Sequence, residues 1–188
     1  MKRGSIFFIT GPTGSGKTVI SDYILQHRKD TVRAISYTTR KKRETEINNK
    51  DYFFITKKEL KKMIKENKLI EYSEVYGNLY GTSVESFNPV KKGYDVIKVL
   101  DVQGAKKFKY SKINAKYFFF CPKDKKVLDK RLTERGDKDK EKRLSFYEEE
   151  IKFQKEANYQ IDTSGTTEED IESCAKEVIG IMDILRNS

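Results

Sequence analysis

A glycine-rich segment at residues 11–18 constrains the fold of this chain more than any other feature. It reads Gly-Pro-Thr-Gly-Ser-Gly-Lys-Thr, matches the pattern G-x-x-x-x-G-K-[ST], and directly follows the apolar run at 6–9. Glycines at three of its positions let the backbone N–H groups curl inward, and a helix that follows directs its positive dipole end at the same point. The segment therefore predicts a strand, a phosphate-binding loop and a helix in succession.

The side chains at the end of this loop suit the outer phosphates of a nucleotide. Lys17 reaches them as a mobile point charge, and the Thr18 hydroxyl is placed to ligate Mg²⁺. The alternative is a glycine-rich turn that merely connects two elements, and the strand and helix on either side disfavour it. The predicted phosphate-binding set is Gly11, Pro12, Thr13, Gly14, Ser15, Gly16, Lys17 and Thr18.

Chain length and composition bound the class of protein. The 188 residues suffice for one well-buried core with a smaller inserted lobe. No apolar stretch approaches the length that spans a bilayer, and no export signal is recognisable. Cys121 and Cys174 lack ligand-like spacing, which favours two free thiols in a reducing compartment over structural zinc. We therefore expect a cytoplasmic protein without a membrane partner.

The formal net charge of +10 raises the question of nucleic-acid binding, because clustered lysine and arginine attract phosphate. The basic residues are interleaved with acids, as in 57–62 and 138–143, a pattern typical of solvated helix faces. A small polyanionic substrate would also profit from a positive field. We expect no nucleic-acid partner, although the charge alone does not distinguish a nucleic acid from a small polyanionic substrate.

Apolar, β-rich runs alternate with helical stretches, which indicates an α/β domain with a mostly parallel sheet. Around the loop, this pattern predicts a three-layer P-loop NTPase core. Its strands are expected at 5–10, 32–36, 94–100, 115–121 and 159–161. Its helices are expected at 17–28, 102–109, 123–134, 141–157 and 167–186, with Thr166 and Glu169 as a capping box for the last.

Two segments break this alternation. Residues 38–83 combine a charged loop, a short strand, an amphipathic helix and a hairpin, and are expected to form an inserted mixed α/β lobe. A charge-dense segment that opens at Gly136 predicts a mobile lid within about 131–145. The predicted organisation is a core of 1–37 and 84–188 with the lobe inserted between them.

The lobe carries candidate anion ligands. Arg40 and Arg43 lie three residues apart in a loop, a spacing that lets two guanidinium groups fork onto one phosphate. Tyr52 and Tyr80 can add phenolic hydroxyls to the same anion. On these residues alone, a basic surface loop with two ordinary strand tyrosines is equally well supported.

Two carboxylates stand at or near strand ends, where ligands bind in open parallel sheets. Glu71 can accept hydrogen bonds from N1–H and the amine of guanine, whereas adenine presents an acceptor at N1. Asp101 offers the same chemistry, or an acceptor for Mg²⁺-bound water. For either acid alone, a solvent-facing strand end explains the residue equally well.

Arginines gather around the lid at Arg131, Arg135 and Arg143. Phosphoryl transfer asks a protein mainly to position groups and neutralise charge, which arginines on a closing lid would do. Singly, each also suits a helix surface with a weak ion pair.

Six motifs in succession resemble guanylate kinase, and the resemblance covers nearly the whole chain. They are the loop at 11–18 and the segments 36–43, 49–53, 70–71, 77–82 and 101–104. The resemblance implies Mg²⁺-dependent transfer of the γ-phosphoryl group of ATP to GMP, with dGMP as a further acceptor, in a core with a GMP-binding lobe and a lid.

The resemblance also implies roles for individual residues. The GMP-binding set would be Ser36, Arg40, Arg43, Glu46, Tyr52, Glu71, Tyr80, Thr82 and Asp101, in which Glu46 orients the arginines. The catalytic set would be Lys17, Arg40, Arg131, Arg135 and Arg143. The loop 11–18 would bind ATP, and Thr18 and Asp101 would serve the metal.

The chain departs from the family pattern at three places. Val99 stands where a second acid is expected ahead of Asp101, Asp162 and its neighbours lack an expected asparagine near the adenine, and the lid is a few residues shorter. Three alternatives stay open: a relative that phosphorylates a ribosyl phosphate and has no use for Glu71, a non-catalytic module of the same shape, and an RNA-binding P-loop protein. The sequence does not decide between a monomer and a homo-oligomer.

Overall fold

The computed structural model describes residues 2–44, 46–75, 77–111 and 113–187. Residues 1 and 188, the outer limits of the predicted domain ranges, lie outside them. Within these residues the elements in chain order are β1 (Ile6–Thr10), α1 (Lys17–His27), β2 (Thr31–Arg33), β3 (Ser36–Thr38), β4 (Tyr52–Phe54), α2 (Lys57–Lys65), β5 (Leu69–Val75), β6 (Asn78–Ser83), a 3-10 helix (Val84–Lys92), β7 (Asp95–Val99), α3 (Val102–Lys109), β8 (Lys116–Cys121), α4 (Lys125–Glu134), α5 (Lys140–Ser145), α6 (Tyr147–Glu150), a second 3-10 helix (Ile151–Glu156), β9 (Tyr159–Asp162) and α7 (Glu168–Asn187).

The core sheet has the strand order β2-β7-β1-β8-β9, and every pairing in it is parallel. The central strand β1 is buried on both faces, since Phe7, Phe8 and Ile9 are fully inaccessible to solvent. Strands of this kind require cover on both sides, because their apolar side chains alternate between the faces. The carboxyl end of β1 leads directly into the glycine-rich loop.

Helices cover the two faces of this sheet with separate apolar clusters. On one face, α1 and α7 pack against Phe7 and Ile9, with Met182 buried between them. On the other, α3 and the second 3-10 helix pack against Phe8, with Phe108 and Phe153 fully buried. The predicted three-layer α/β core is thereby confirmed.

A second sheet has the strand order β4-β3-β6-β5, with β3–β4 parallel and the other pairs antiparallel. The hairpin β5–β6 turns at Gly77, whose φ of 74° lies in the left-handed region that favours glycine. Helix α2 begins with a capping box between Thr56 and Glu59 and buries Leu60. Residues 36–83 therefore form a mixed α/β unit beside the core sheet.

The predicted core strand at 32–36 is wrong at its end. Strand β2 stops at Arg33, the Ala34 N–H donates to the Ile97 carbonyl at 2.8 Å, and Ser36 already begins β3 in the second sheet. Both pieces are β-rich, so the sequence reads as one strand, whereas pairing with different neighbours divides it. Ser36 consequently lies where the chain crosses from one sheet to the other.

Two helix predictions are also corrected. The single helix expected at 141–157 is divided into α5, α6 and a 3-10 helix, whose tighter winding accompanies the packing of Phe153 against Tyr117 and Phe119. The capping box of α7 is formed by Thr167 and Asp170, one residue later than predicted. In the described part of the chain, no helix combines the length and apolarity needed to cross a membrane.

Candidate active site

The glycine-rich loop has a backbone that only glycine accommodates. Gly11 has φ 144°, and a Cβ there would lie 2.0 Å from the Phe120 carbonyl oxygen of β8. Gly16 has φ 80° and precedes α1, whose first turn opens with the Ile20 N–H donating to the Gly16 carbonyl at 3.0 Å. The loop therefore wraps closely over the sheet edge, and the N-terminus of α1 faces into its curve.

Lys17 lies folded back along this loop. Its Nζ donates to the carbonyls of Gly11 and Pro12, each at 2.7 Å. Burial lowers the pKa of Lys17 to about 8, while the carboxylates of Glu150 and Asp101 oppose the shift. The acceptors of the ammonium are neutral carbonyl oxygens. Charged phosphate oxygens can replace them, because a hydrogen bond between two charged groups is stronger.

Glu150, in α6, is a nearby acid that the sequence did not single out. Burial raises the pKa of its carboxyl to about 7, although the Lys17 ammonium lowers it. An acid inside a run of three glutamates at 148–150 looks like a solvated helix face, so no local signal distinguishes it.

Arg131 fastens the loop to the far edge of the core sheet. Its guanidinium donates to the carbonyls of Gly14 at 3.2 Å, Thr163 at 2.8 Å and Gly165 at 2.5 Å. The rigid donor fork of arginine suits such a convergence of carbonyls. Arg131 is therefore placed beside the phosphate loop, as predicted, with much of its donor capacity directed to backbone.

Two arginines of the predicted lid segment share one carboxylate. Arg135 and Arg143 both pair with Asp137, the latter at 3.3 Å, and the Asp137 side chain is only 9% exposed. Arg143 also donates to the Thr13 hydroxyl of the loop at 3.2 Å. Sequence reasoning missed Asp137, although an acid directly after Gly136 and between two arginines was an available signal.

The predicted anion ligands of the second sheet converge. Arg40 donates to the Glu46 carboxylate at 2.5 Å and lies 5.6 Å from the centre of the Tyr52 ring. The rings of Tyr52 and Tyr80 meet edge to face at 6.0 Å. The other Glu46 oxygen accepts from the Arg43 N–H at 2.8 Å, so this acid links the two arginines of the loop.

A second group of predicted residues, on the strands β3, β5 and β6, is joined by hydrogen bonds. Thr82 donates to Glu71 at 2.7 Å, and the hydroxyls of Thr82 and Ser36 lie 3.5 Å apart. Burial raises the pKa of the Glu71 carboxyl, while the Thr82 hydrogen bond and the charge of Lys98 lower it. Ser36, Glu71 and Thr82, three residues of the predicted GMP-binding set, are thus brought into one polar cluster.

Lys98 joins this cluster and was missed by sequence reasoning. It lies in the middle of β7, is 1% exposed, and donates to the Ser36 hydroxyl at 2.6 Å. A single lysine inside the apolar run at 96–100 was the available signal, since lysine is rarely buried without a partner.

Asp101 is near both the glycine-rich loop and the polar cluster of Ser36, Glu71 and Thr82. It caps α3 by accepting from the Gly104 N–H at 2.6 Å, and it is exposed. Its charge acts on Lys17, raising the pKa of that ammonium, and likewise raises the pKa of Lys98 and of Glu71. Val99, where a second acid was expected, packs against the apolar cluster of the α1 face.

Asp162, the departure near the expected adenine end, is held by local bonds. Its Oδ1 accepts from the N–H and hydroxyl of Ser164 at 2.9 and 2.5 Å, and its other oxygen lies 3.1 Å from Lys123. These contacts lower the pKa of the carboxyl. A stable negative charge therefore borders the site at this end.

One cleft of about 950 Å³ connects the glycine-rich loop, the predicted lid arginines and part of the second sheet. Its walls include the loop from Thr13 to Thr18, the three arginines of the lid region, Asp162, and both Arg43 and Tyr52 of the second sheet. A cavity of this size accommodates nucleotide-sized ligands. The arrangement places the loop, the three arginines and the Arg43–Tyr52 side of the second sheet around one space, and such a concentration of positive groups suits transfer of a charged group between two phosphates.

Comparison with known proteins identifies relatives over the full length of the chain. A family model described as guanylate kinase matches residues 3–184. A guanylate kinase of Clostridioides difficile is 34% identical over 191 residues, covering 100% of this chain and 91% of that protein. A guanylate kinase of Neisseria gonorrhoeae is 38% identical over 154 residues, covering 80% of this chain and 75% of that protein.

The fold has a counterpart among solved structures. The crystal structure of guanylate kinase from Anaplasma phagocytophilum superimposes with a TM-score of 0.77 at 27% sequence identity, covering 100% of this chain and 88% of that one. Sequence and structure comparisons therefore agree with the resemblance inferred from the motifs.

Proposed function

The chain belongs to the guanylate kinase family, and from this premise we propose how its cleft performs the family reaction, the phosphorylation of GMP by ATP. The observation that carries the proposal is the shared cleft, since Lys17 of the loop and Arg43 and Tyr52 of the second sheet line the same space. Two phosphorylated substrates bound at these places would meet head to head. The full-length relatives favour this reaction over the ribosyl-phosphate kinase and the non-catalytic module.

The loop 11–18 is the proposed cradle for ATP. Its backbone N–H groups and the N-terminus of α1 bind the inner phosphates. Lys17 leaves the carbonyls of Gly11 and Pro12 and contacts the outer phosphates as they arrive. This exchange replaces neutral acceptors by charged ones, which strengthens each hydrogen bond.

The segment 38–83 is the proposed GMP-binding lobe, inserted in a core of 1–37 and 84–188. Arg40, Arg43, Tyr52 and Tyr80 bind the GMP phosphate, and the Glu46 contacts to Arg40 and to the Arg43 backbone support its role in orienting the loop. Holding a guanidinium in place beforehand reduces the entropy lost on binding.

The cluster of Ser36, Glu71 and Thr82 is the proposed reader of the guanine, with Asp101 beside it. Glu71 accepts from N1–H and the 2-amine, and its hydrogen bond from Thr82 fixes the carboxylate for that contact. Adenine would set its N1 lone pair against this carboxylate and leave both unpaired.

Transfer then proceeds in line, with the phosphate oxygen of GMP as the attacking atom and ADP as the leaving group. The reaction needs no nucleophile from the protein and no strong base, since that oxygen is largely ionised at neutral pH. Arg131, Arg135 and Arg143 neutralise charge on the moving phosphoryl group as the lid closes. Closure excludes water, which would otherwise consume ATP.

Mg²⁺ is the proposed cofactor, and the residues present fit it. Thr18 lines the cleft next to Lys17, and Asp101 is close enough for its charge to raise the pKa of that lysine. Mg²⁺ usually keeps several waters and takes a few protein oxygens together with substrate phosphates. Thr18 would ligate the ion directly and Asp101 through water, and the ion supplies further neutralisation of the donor phosphates.

ATP and GMP are the proposed partners, with dGMP as a further acceptor, and the cytoplasm is the proposed location. The free thiols of Cys121 and Cys174 fit a reducing compartment. Pairs such as Lys106–Glu149 and Lys109–Glu156 support the interpretation of the lysine excess as solvated surface. We propose no nucleic-acid partner.

Isotope transfer tests the proposed reaction. The protein is incubated with Mg²⁺, GMP and ATP labelled at the γ-phosphate, and the products are separated by chromatography. We expect label in the β-phosphate of GDP, equal amounts of GDP and ADP, and little ADP when GMP is omitted. Labelled inorganic phosphate as the main product would overturn the proposal.

A further inference from the structure

The side chain of Lys98 is buried where a charge is expensive. It projects from β7 on the sheet face that also carries Val96 and Leu100, and it is 1% exposed. Burial lowers the pKa of its ammonium to about 8, with Glu71 and Asp101 opposing the shift. An ammonium removed from water costs folding free energy unless its contacts compensate. The hydrogen-bond partners of Lys98 therefore indicate what function it serves.

Those partners form a chain of hydrogen bonds with a fixed direction. An ammonium only donates and an ionised carboxylate only accepts. Lys98 donates to Ser36 at 2.6 Å, and Thr82 donates to Glu71 at 2.7 Å. The proton of Ser36 therefore points away from Lys98, and the proton of Thr82 is committed to Glu71.

The Ser36 proton is available to a ligand. The hydroxyls of Ser36 and Thr82 lie 3.5 Å apart, which is long for a bond between two hydroxyls. A stronger acceptor brought to Ser36 would replace this contact. Lys98 thus fixes the polarity of Ser36 as a donor toward whatever base the cluster binds.

We propose that Lys98 is a positioning residue of the acceptor-base site, holding Ser36 as an obligate donor so that the site selects purines with an oxygen at position 6. This rests on the proposed function, because it assumes that Ser36 faces the purine. A 6-oxopurine presents an acceptor to Ser36. A 6-aminopurine presents a donor, so two donors would meet and one would stay unpaired in a partly dry site.

Removing the Lys98 ammonium removes the constraint that makes the Ser36 hydroxyl a donor. With methionine at position 98, the Ser36 hydroxyl can rotate and accept from an amine as readily as it donates to an oxygen. The site would then lose affinity for 6-oxopurines and part of its discrimination against 6-aminopurines. Glu71 would keep reading N1–H and the 2-amine, so selection would weaken without vanishing.

The test compares GMP, IMP and AMP, because IMP keeps the 6-oxo group and N1–H of GMP and lacks only its 2-amine, whereas AMP has an amine at position 6 and no N1–H. Affinities are measured by calorimetry without ATP, and kcat and KM in a coupled assay. We expect Lys98→Met to raise the dissociation constants of GMP and IMP by a similar factor of about 10 to 150, the size of a hydrogen bond to a charged group. AMP affinity should stay within about threefold, and kcat at saturating GMP should change much less than KM.

Lys107→Met is the matched control. Lys107 also carries a charge that lowers the pKa of Glu71, but its ammonium donates to the Tyr72 carbonyl at 2.9 Å rather than to Ser36. We expect it to leave the ratio of GMP to AMP affinity within about twofold. An equal fall in the ratio of GMP to AMP affinity in both variants would show a general charge effect and overturn the proposal.

A double-mutant cycle with Ser36→Ala separates a role through Ser36 from a purely structural one. We expect Lys98→Met to have little further effect on the GMP to AMP ratio once Ser36 is alanine. Additive effects, or an unchanged ratio in a folded Lys98→Met protein, would overturn the inference. Failure of the unmodified protein to phosphorylate GMP would instead refute the proposed function, so the two failures are distinguishable.

Discussion

Arg40 and Glu46 form a close pair, with the guanidinium donating to the carboxylate at 2.5 Å while both side chains are largely buried. The same carboxylate binds the Arg43 N–H. The pair thereby sets the shape of the loop that is proposed to bind the acceptor phosphate.

Glu46→Gln should therefore weaken GMP binding. An amide accepts a weaker hydrogen bond than a carboxylate, so Arg40 is less firmly oriented, and we expect the KM for GMP to rise about tenfold with the KM for ATP nearly unchanged. Initial rates at varied GMP measure this. Glu44→Gln, at an exposed acid of the same loop, is the control and should behave like the unmodified protein. An unchanged KM in Glu46→Gln would assign the pair to folding alone.

Lys17→Ala tests the donor cradle. Loss of the one loop ammonium leaves charge on the donor phosphates uncompensated during transfer, and we expect kcat to fall by about 10²- to 10³-fold. Affinity for GMP without ATP should change little, since the acceptor residues are untouched. Steady-state kinetics and calorimetry measure the two quantities, with the exposed Lys29→Ala as control. A loss of less than about threefold would contradict the role of Lys17.

Asp137→Asn tests whether this acid restrains the lid arginines. Asp137 pairs with Arg135 and Arg143, and phosphates would have to compete with it for both. Weakening partly exposed pairs releases a few tenths of a kcal/mol to about 1 kcal/mol, so we expect the KM for ATP to fall by up to about fivefold. Asp139→Asn is the control, because its side chain makes no capping hydrogen bond at the start of α5. A rise in the KM for ATP would show that Asp137 positions the arginines for catalysis instead.

Lys98→Met should stabilise the fold at neutral pH. Burial lowers the pKa of Lys98 from 10.5 to about 8. Between pH 8 and 10.5 the unfolded chain therefore binds more protons than the folded one, and the free energy of unfolding rises as the pH increases through this range. At 1.36 kcal/mol per pKa unit, methionine should add up to about 3 kcal/mol at pH 7, less whatever Glu71 loses with its neighbouring charge. Urea unfolding at pH 7 and pH 9.5 measures this, and the gain should shrink at the higher pH. A clear loss of stability at pH 7 would mean that the ammonium is structural.

The local motifs predicted much of this molecule because their physics is local. Gly11 and Gly16 predict the geometry of the loop at 11–18, and the apolar run of β1 predicts a strand buried on both faces. The family and the α/β core inferred from such segments are confirmed.

Features decided by tertiary pairing were not predictable in the same way. The break between β2 and β3 depends on which sheet each piece joins, and nothing in 31–38 encodes that choice locally. The role of Lys98 likewise depends on Ser36, which lies 62 positions away in the chain. The role of Asp137 depends on Arg143, which lies in the next helix. The sequence around each residue offers a signal that it is unusual, but it does not identify the partners that give the residue its role.

The central claim is that the cleft selects guanine as the base of the acceptor, and its most direct test is a substrate panel. ADP release is followed with GMP, AMP, UMP and a ribosyl phosphate, each varied at saturating ATP and Mg²⁺, with Glu71→Gln beside the unmodified protein. We predict that kcat/KM for GMP exceeds that for AMP by about 10⁴-fold, the range of sites built to hydrogen-bond their substrate, and that Glu71→Gln reduces this ratio. Comparable kcat/KM values for GMP and AMP would contradict the account.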